Sequence, residues 1–159
     1  MNAALRRHGA AIAVLAVAVA GLYGRVIGYQ FVQYDDYELL SLHYGELANP
    51  ANLASVFWRD SFAVLGPEAR GVYYRPLLVA TYGIEERIAG PRPALFHATN
   101  VALHFVATGF VYALFAAFGV APPLATGLAL IFACHPGSAL VAAWIPCRNE
   151  SMLAIACIE

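Results

Sequence analysis

The sequence predicts an all-α integral membrane protein, and three observations carry that prediction. Of 159 residues, 61% are hydrophobic and 12% charged, with a mean hydropathy of +0.65. Soluble domains carry about 25% charged residues, and a domain of this size has too little interior to hide so much apolar surface from water. Uncharged stretches of near-spanning length recur along the chain, and one long polar loop separates the first from the rest. The expected architecture is about three complete spans, a truncated fourth, and a helical extracytoplasmic first loop.

Residues 1–27 form the N-terminus and first span. Gly9 to Gly24 carries no charge and is flanked by Arg6-Arg7 and Arg25. A spanning helix needs about 20 residues, and long side chains at its ends reach out to the interface. A cleaved signal peptide is the competing reading, with Ala18-Val19-Ala20 as its cleavage site. Arg6 and Arg7 favour a cytoplasmic N-terminus, which puts residues 28–93 outside. That loop is rich in aromatics, among them Tyr29, Phe31, Tyr34, Tyr37, Tyr44, Phe57, Trp58, Phe62, Tyr73, Tyr74 and Tyr82. Such rings are favoured at the headgroup layer. Asn49-Pro50-Ala51-Asn52 starts one helix running towards Phe62. Arg75-Pro76 starts a second, with Leu77, Ala80, Ile84 and Ile88 on one face and Gly90-Pro91 as its stop. Both read as helices lying on the membrane surface, or as parts of an ordinary compact insert.

Residues 94–118 are the second span, 119–123 a cytoplasmic turn, and 124–145 the third span. Pro122-Pro123 suit the first turn of a helix, and His135-Pro136 interrupts the third span. Residues 146–150 form an extracytoplasmic turn, and 151–159 open a fourth apolar run too short to span, so the chain reads as the N-terminal piece of a larger protein. All nine basic residues are Arg, and Ala and Gly are abundant, which fits the coding bias of a GC-rich bacterium and hence its inner (cytoplasmic) membrane. The net charge of -1 points to no nucleic-acid partner, and Cys134, Cys147 and Cys157 read as packed thiols rather than a disulfide framework.

Candidate chemistry lies at the span ends. Asp35 and Asp36 follow the first span by a few residues. Two adjacent carboxylates repel each other, so one can act as a general base, or both can hold a divalent cation; a solvated turn is the plainer reading. No other cofactor is implied, and whether a metal binds is open. His97, Asn100 and His104 share one helix face at i, i+3 and i+7. Polar groups within a span face a bundle interior or a watery cavity, where they bridge helices or bind an anionic head group. Arg148 at the interface suits either phosphate or a topology anchor.

The order of these signals resembles one family. Phe31-Val32-x-x-Asp35-Asp36, then Tyr73-Tyr74-Arg75-Pro76-Leu77, Phe96-His97-x-x-Asn100-x-x-x-His104, His135-Pro136 and Val141-x-x-Trp144-Ile145-x-x-Arg148-x-Glu150 resemble the N-terminal part of polytopic C-type glycosyltransferases. The group in question is related to protein O-mannosyltransferases, above all the transmembrane-and-tetratricopeptide-repeat O-mannosyltransferases and their bacterial relatives. The resemblance implies a large helical membrane fold, a catalytic acidic motif in the first outer loop and a polyprenyl-phosphate-linked sugar as donor. The acceptor is a hydroxyl on a protein or glycan. Asp35 and Asp36 match the acidic motif, one of them the base. Arg75, His97, Asn100, His104 and Arg148 match motif positions assigned here to the donor phosphate. Two positions depart from the pattern: Leu140 stands where an acidic residue is usual, and Cys147 replaces a Gly. A transporter, a scaffold subunit of an envelope complex, or an inactive fragment are the alternatives.

Overall fold

The computed structural model describes residues 3–33, 35–42, 45–63 and 73–158, with side chains from residue 7 onward. Tyr34, Tyr44 and Arg70 of the expected loop, the Arg6 side chain and Glu159 lie outside the described residues. Every regular element among the described residues is helical. The chain divides into two compact units, Met1–Ile27 with His97–Glu159, and Gly28–Phe96.

The first unit holds the apolar helices. Helix α1 runs Ala3–Tyr23 and passes into a 3₁₀ turn, Gly24–Gly28; its stretch Arg7–Gly28 is long and apolar enough to cross a membrane. The loop unit contributes α2 (Asp35–Tyr37), α3 (Pro50–Ser55) and α4 (Pro76–Ala89). Helix α5, Pro93–Ala117, is the second helix that meets the spanning test. It ends in a Schellman motif. The Val120 N–H donates to the Phe115 carbonyl and the Gly119 N–H to that of Ala116, with Gly119 at φ +79°, where a side chain would be strained. Next come α6, Pro122–Cys134, α7, Pro136–Ala143, and α8, Arg148–Ile158.

The third span expected over 124–145, with its interruption at His135-Pro136, is two helices, α6 and α7, bent by 63° at His135. Pro136 has no N–H for the Phe132 carbonyl and cannot continue the helix without a break. The freed carbonyls are satisfied from three other places. Phe132 O accepts from the Ser138 hydroxyl at 2.8 Å, while Ala133 O accepts from the Tyr23 hydroxyl at 2.7 Å and lies 3.3 Å from His104 Nε2. A break of this kind is tolerated at membrane depth only when protein or water takes up the released groups.

Small residues bring these helices together. Ala125, Ala129 and Ala133 recur every fourth residue on α6 and are fully buried. Ala125 and Ala129 cluster with Leu15 and Tyr112, Ala133 with Val19 and Val101. Lipid offers no hydrophobic drive for helices to associate, so close backbone approach through small residues supplies the contact. Other faces of these helices stay apolar and exposed, with Val17 on α1 74% and Ile131 on α6 67% accessible. That surface is costly in water and ordinary against hydrocarbon.

In the loop unit, Asn49 caps α3, its Oδ1 accepting from the Ala51 N–H at 3.0 Å. Helix α3 ends at Ser55, short of the run towards Phe62 expected from the sequence. The chain there turns around Asp60, whose carboxylate accepts from the N–H groups of Phe62 and Tyr73, both at 2.8 Å. Helix α4 turns its apolar stripe outward. Leu77, Ile84 and Ile88 are exposed, whereas Leu78, Val79, Tyr82, Glu85 and Glu86 face inward.

Candidate functional site

Each sequence-predicted residue falls within one of the two units. Asp35, Asp36 and Arg75 belong to the loop unit, and His97, Asn100, His104 and Arg148 to the helical unit.

In the loop unit, Asp35 and Asp36 open the single turn α2. The Asp36 side chain is completely buried, and its Oδ2 accepts a long hydrogen bond, 3.4 Å, from the Val32 N–H; Asp35 is half-buried. A carboxylate taken wholly from water is costly unless something answers its charge. The adjacent π-helical turn Glu38–Leu42 buries Leu39 and Leu40 and anchors the segment. Among the described residues no group of three or more His, Cys, Asp or Glu is placed to hold a metal ion, so a cation shared by Asp35 and Asp36 would have no third such ligand there. Arg75 precedes α4; its N–H donates to the Ser61 hydroxyl at 2.9 Å, and its guanidinium lies 5.2 Å from the Tyr73 ring centroid. That is cation–π distance.

The helical unit draws Asn100 and Arg148 into one hydrogen-bonded group. Arg148 is fully buried and its Nε donates to Asn100 Oδ1 at 2.8 Å. The Asn100 amide nitrogen then donates toward three carbonyls where α7 ends, Val141 at 3.2 Å, Trp144 at 3.0 Å and Ile145 at 3.4 Å. The amide orientation follows from chemistry: a guanidinium can only donate and a carbonyl can only accept, so oxygen must face Arg148. One side chain on α5 thereby ties off the end of α7 and fixes the first residue of α8. His104, one turn further along, meets the Tyr23 ring edge-on at a centroid distance of 5.2 Å and carries the bond to Ala133 described above. His97 is 1% exposed. Asn100 and His104 thus bridge helices in the described structure, and the same buried face holds a cation.

Sequence reasoning missed several polar residues. Glu86 lies on the inner face of α4, 2% exposed, with Oε2 accepting from the Gly45 N–H at 3.2 Å. Burial pushes its carboxyl up to about 7, against the pull of the backbone N–H groups of Gly45 and Ala48. The signal was present: Glu86 falls on the face of α4 opposite Leu77, Ile84 and Ile88, which is the inner face when that stripe is exposed. Ser138, on the break, and Ser151, on α8, are also buried; nothing in their spacing marked them.

No protein-family model, no curated protein and no solved structure matches the chain. Among the described residues every regular element is helical, two helices are long and apolar enough to cross a membrane, or three if the bent pair is counted as one span, and a buried polar seam runs along α5.

Proposed function

We propose that this chain belongs to a membrane glycosyltransferase that moves a sugar from a polyprenyl-phosphate donor to a hydroxyl acceptor on the extracytoplasmic face. The observation that supports this reading is the complete burial of two charged side chains, Asp36 and Arg148, in a chain otherwise poor in charge. Ionisable groups kept in such surroundings are expensive and mark functional sites.

In the proposed reaction the acceptor oxygen attacks the anomeric carbon as the bond from that carbon to the phosphate oxygen breaks, with inversion. The acceptor's proton passes to Asp36 or Asp35, and polyprenyl phosphate departs. Arg75, in the same unit as the two carboxylates, offsets the negative charge that develops on the leaving phosphate, in the planar geometry that guanidinium offers oxyanions. The apolar helices keep the isoprenoid chain in lipid.

The test is transfer from a polyprenyl-phosphate sugar in membranes containing the full-length protein. Asp36→Asn or Asp35→Asn, whichever removes the base, is expected to lower the rate by about 10²–10⁴, the usual contribution of a general base, with unchanged protein in the membrane. Full transfer by both variants removes the proposal. The 63° break between α6 and α7 favours a second reading, a transporter, because discontinuous helices line many transport sites. Uptake into vesicles without any transfer product separates the two.

A further inference from the structure

A cavity of about 640 Å³ lies wholly within the helical unit, bounded by α5, α6, α7 and α8. Its size falls in the range of about 300–1,000 Å³ typical of small-molecule sites. Its walls carry two kinds of residue. Phe115, Leu128 and Ile131 are apolar, His104, His135, Ser138, Glu150 and Ser151 are polar, and Phe132 joins the two sets, its ring 5.7 Å from that of His104 and its carbonyl bonded to Ser138. Between His104 and Phe115, helix α5 rises about 16 Å at ~1.5 Å per residue, so the cavity is long.

The polar residues are not all satisfied by the protein. Ser151 is 3% exposed, yet its Oγ has no hydrogen-bond partner; such a buried hydroxyl needs an explanation. His135 accepts the Gly137 N–H on Nδ1 at 3.1 Å, which caps α7 and leaves Nε2 to carry the ring's proton. Glu150 adds an exposed carboxylate. Ser138 and His104 are spent on the carbonyls of the break. The lining therefore offers a donor at His135, an acceptor at Glu150 and a hydroxyl at Ser151 that can do both. No arginine lines it. A phosphate would face Glu150 with no guanidinium to answer it, whereas a hydroxyl-bearing head satisfies all three groups.

We propose that this cavity is a binding site for a single-chain, uncharged, hydroxyl-bearing amphiphile. The hydrocarbon chain lies along Phe115, Leu128, Ile131 and Phe132, and the head's hydroxyls meet Ser151, His135 and Glu150. The site stands whether or not the chain transfers sugar.

The experiment uses the whole chain in phosphatidylcholine nanodiscs and a dodecyl glucoside carrying a diazirine at its chain end, with labelled residues located by mass spectrometry. Labelling is expected on Phe115, Leu128 or Ile131, with competition by unlabelled dodecyl glucoside about tenfold better than by dodecyl phosphate. Ser151→Ala is expected to weaken the glucoside's competition about tenfold, the scale of one lost hydrogen bond, without lowering thermal stability, because that hydroxyl has no protein partner to lose. Glu150→Gln is expected to narrow the preference over dodecyl phosphate. Labelling spread equally over lipid-facing residues such as Val17 and Leu22, equal competition by the two amphiphiles, or cross-links showing a second copy's helix in the cavity would each overturn the proposal.

Discussion

Glu86 carries its proton into the neutral range because its carboxyl is enclosed beneath the 45–48 segment. Its folded value of about 7 lies above the ordinary 4.5, so the folded loop unit holds the proton more tightly than the unfolded chain does. The stability this confers is complete below pH 4.5 and is lost as pH rises from there through 7. Deprotonating the enclosed carboxyl therefore destabilises the folded unit. Glu86→Gln is expected to flatten that dependence and to recover most of the lost stability at pH 8, read as slower hydrogen exchange of α4 amides after correction for intrinsic rates. A second residue-scale prediction concerns Asn100. Asn100→Ala removes a bond to a buried guanidinium and strands the carbonyls ending α7, so a loss of about 3 kcal/mol is expected, measured as a lower midpoint of thermal unfolding in detergent. The polar face of His97, Asn100 and His104 was legible from its spacing. The partners of Asn100 were not, because Val141, Trp144 and Arg148 lie more than a helix away in sequence and only tertiary packing brings them to it. The complete burial of Asp36 was equally hidden, since an Asp pair after a span reads the same whether solvated or enclosed.

Among the elements, α4 shows how periodicity gives a face without its direction. Leu77, Ala80, Ile84 and Ile88 form the expected stripe, yet its large residues point outward while Glu85 and Glu86 face the interior of the unit. For a helix lying on a bilayer this is the sensible arrangement, because lipid takes the place of a protein core. What holds the inner face is a close approach at Gly83, where a methyl group would come within 2.7 Å of both the Leu47 carbonyl oxygen and Leu53 Cδ1. Replacing a mid-helix Gly with Ala ordinarily gains up to about 1 kcal/mol, but overpacking against backbone costs about 1–3 kcal/mol and should win. Gly83→Ala is therefore expected to speed hydrogen exchange across α3 and α4, whereas Gly109→Ala on α5, with nothing within 4 Å of the added carbon, should be neutral or stabilising. The break at His135-Pro136 was visible in the sequence as a proline. Its satisfaction by Tyr23, His104 and Ser138 was not, since a missing N–H says nothing about which distant donor replaces it.

For the whole molecule, composition alone pointed to lipid, and the exposed apolar faces of α1 and α5 give that composition a physical place. In the proposed topology both apolar helices cross the membrane, with the loop on one side and the α5–α6 turn on the opposite side. The proposed chemistry requires the loop, with Asp35 and Asp36, to be outside. The most direct measurement is membrane-impermeant maleimide labelling of intact cells carrying single-cysteine variants in a background lacking Cys134, Cys147 and Cys157. Ala54→Cys, exposed in the loop, is expected to react from outside, and Ala121→Cys, exposed in the turn, only after permeabilisation. Reaction of both from the same side, or of Ala121→Cys alone in intact cells, would contradict the account.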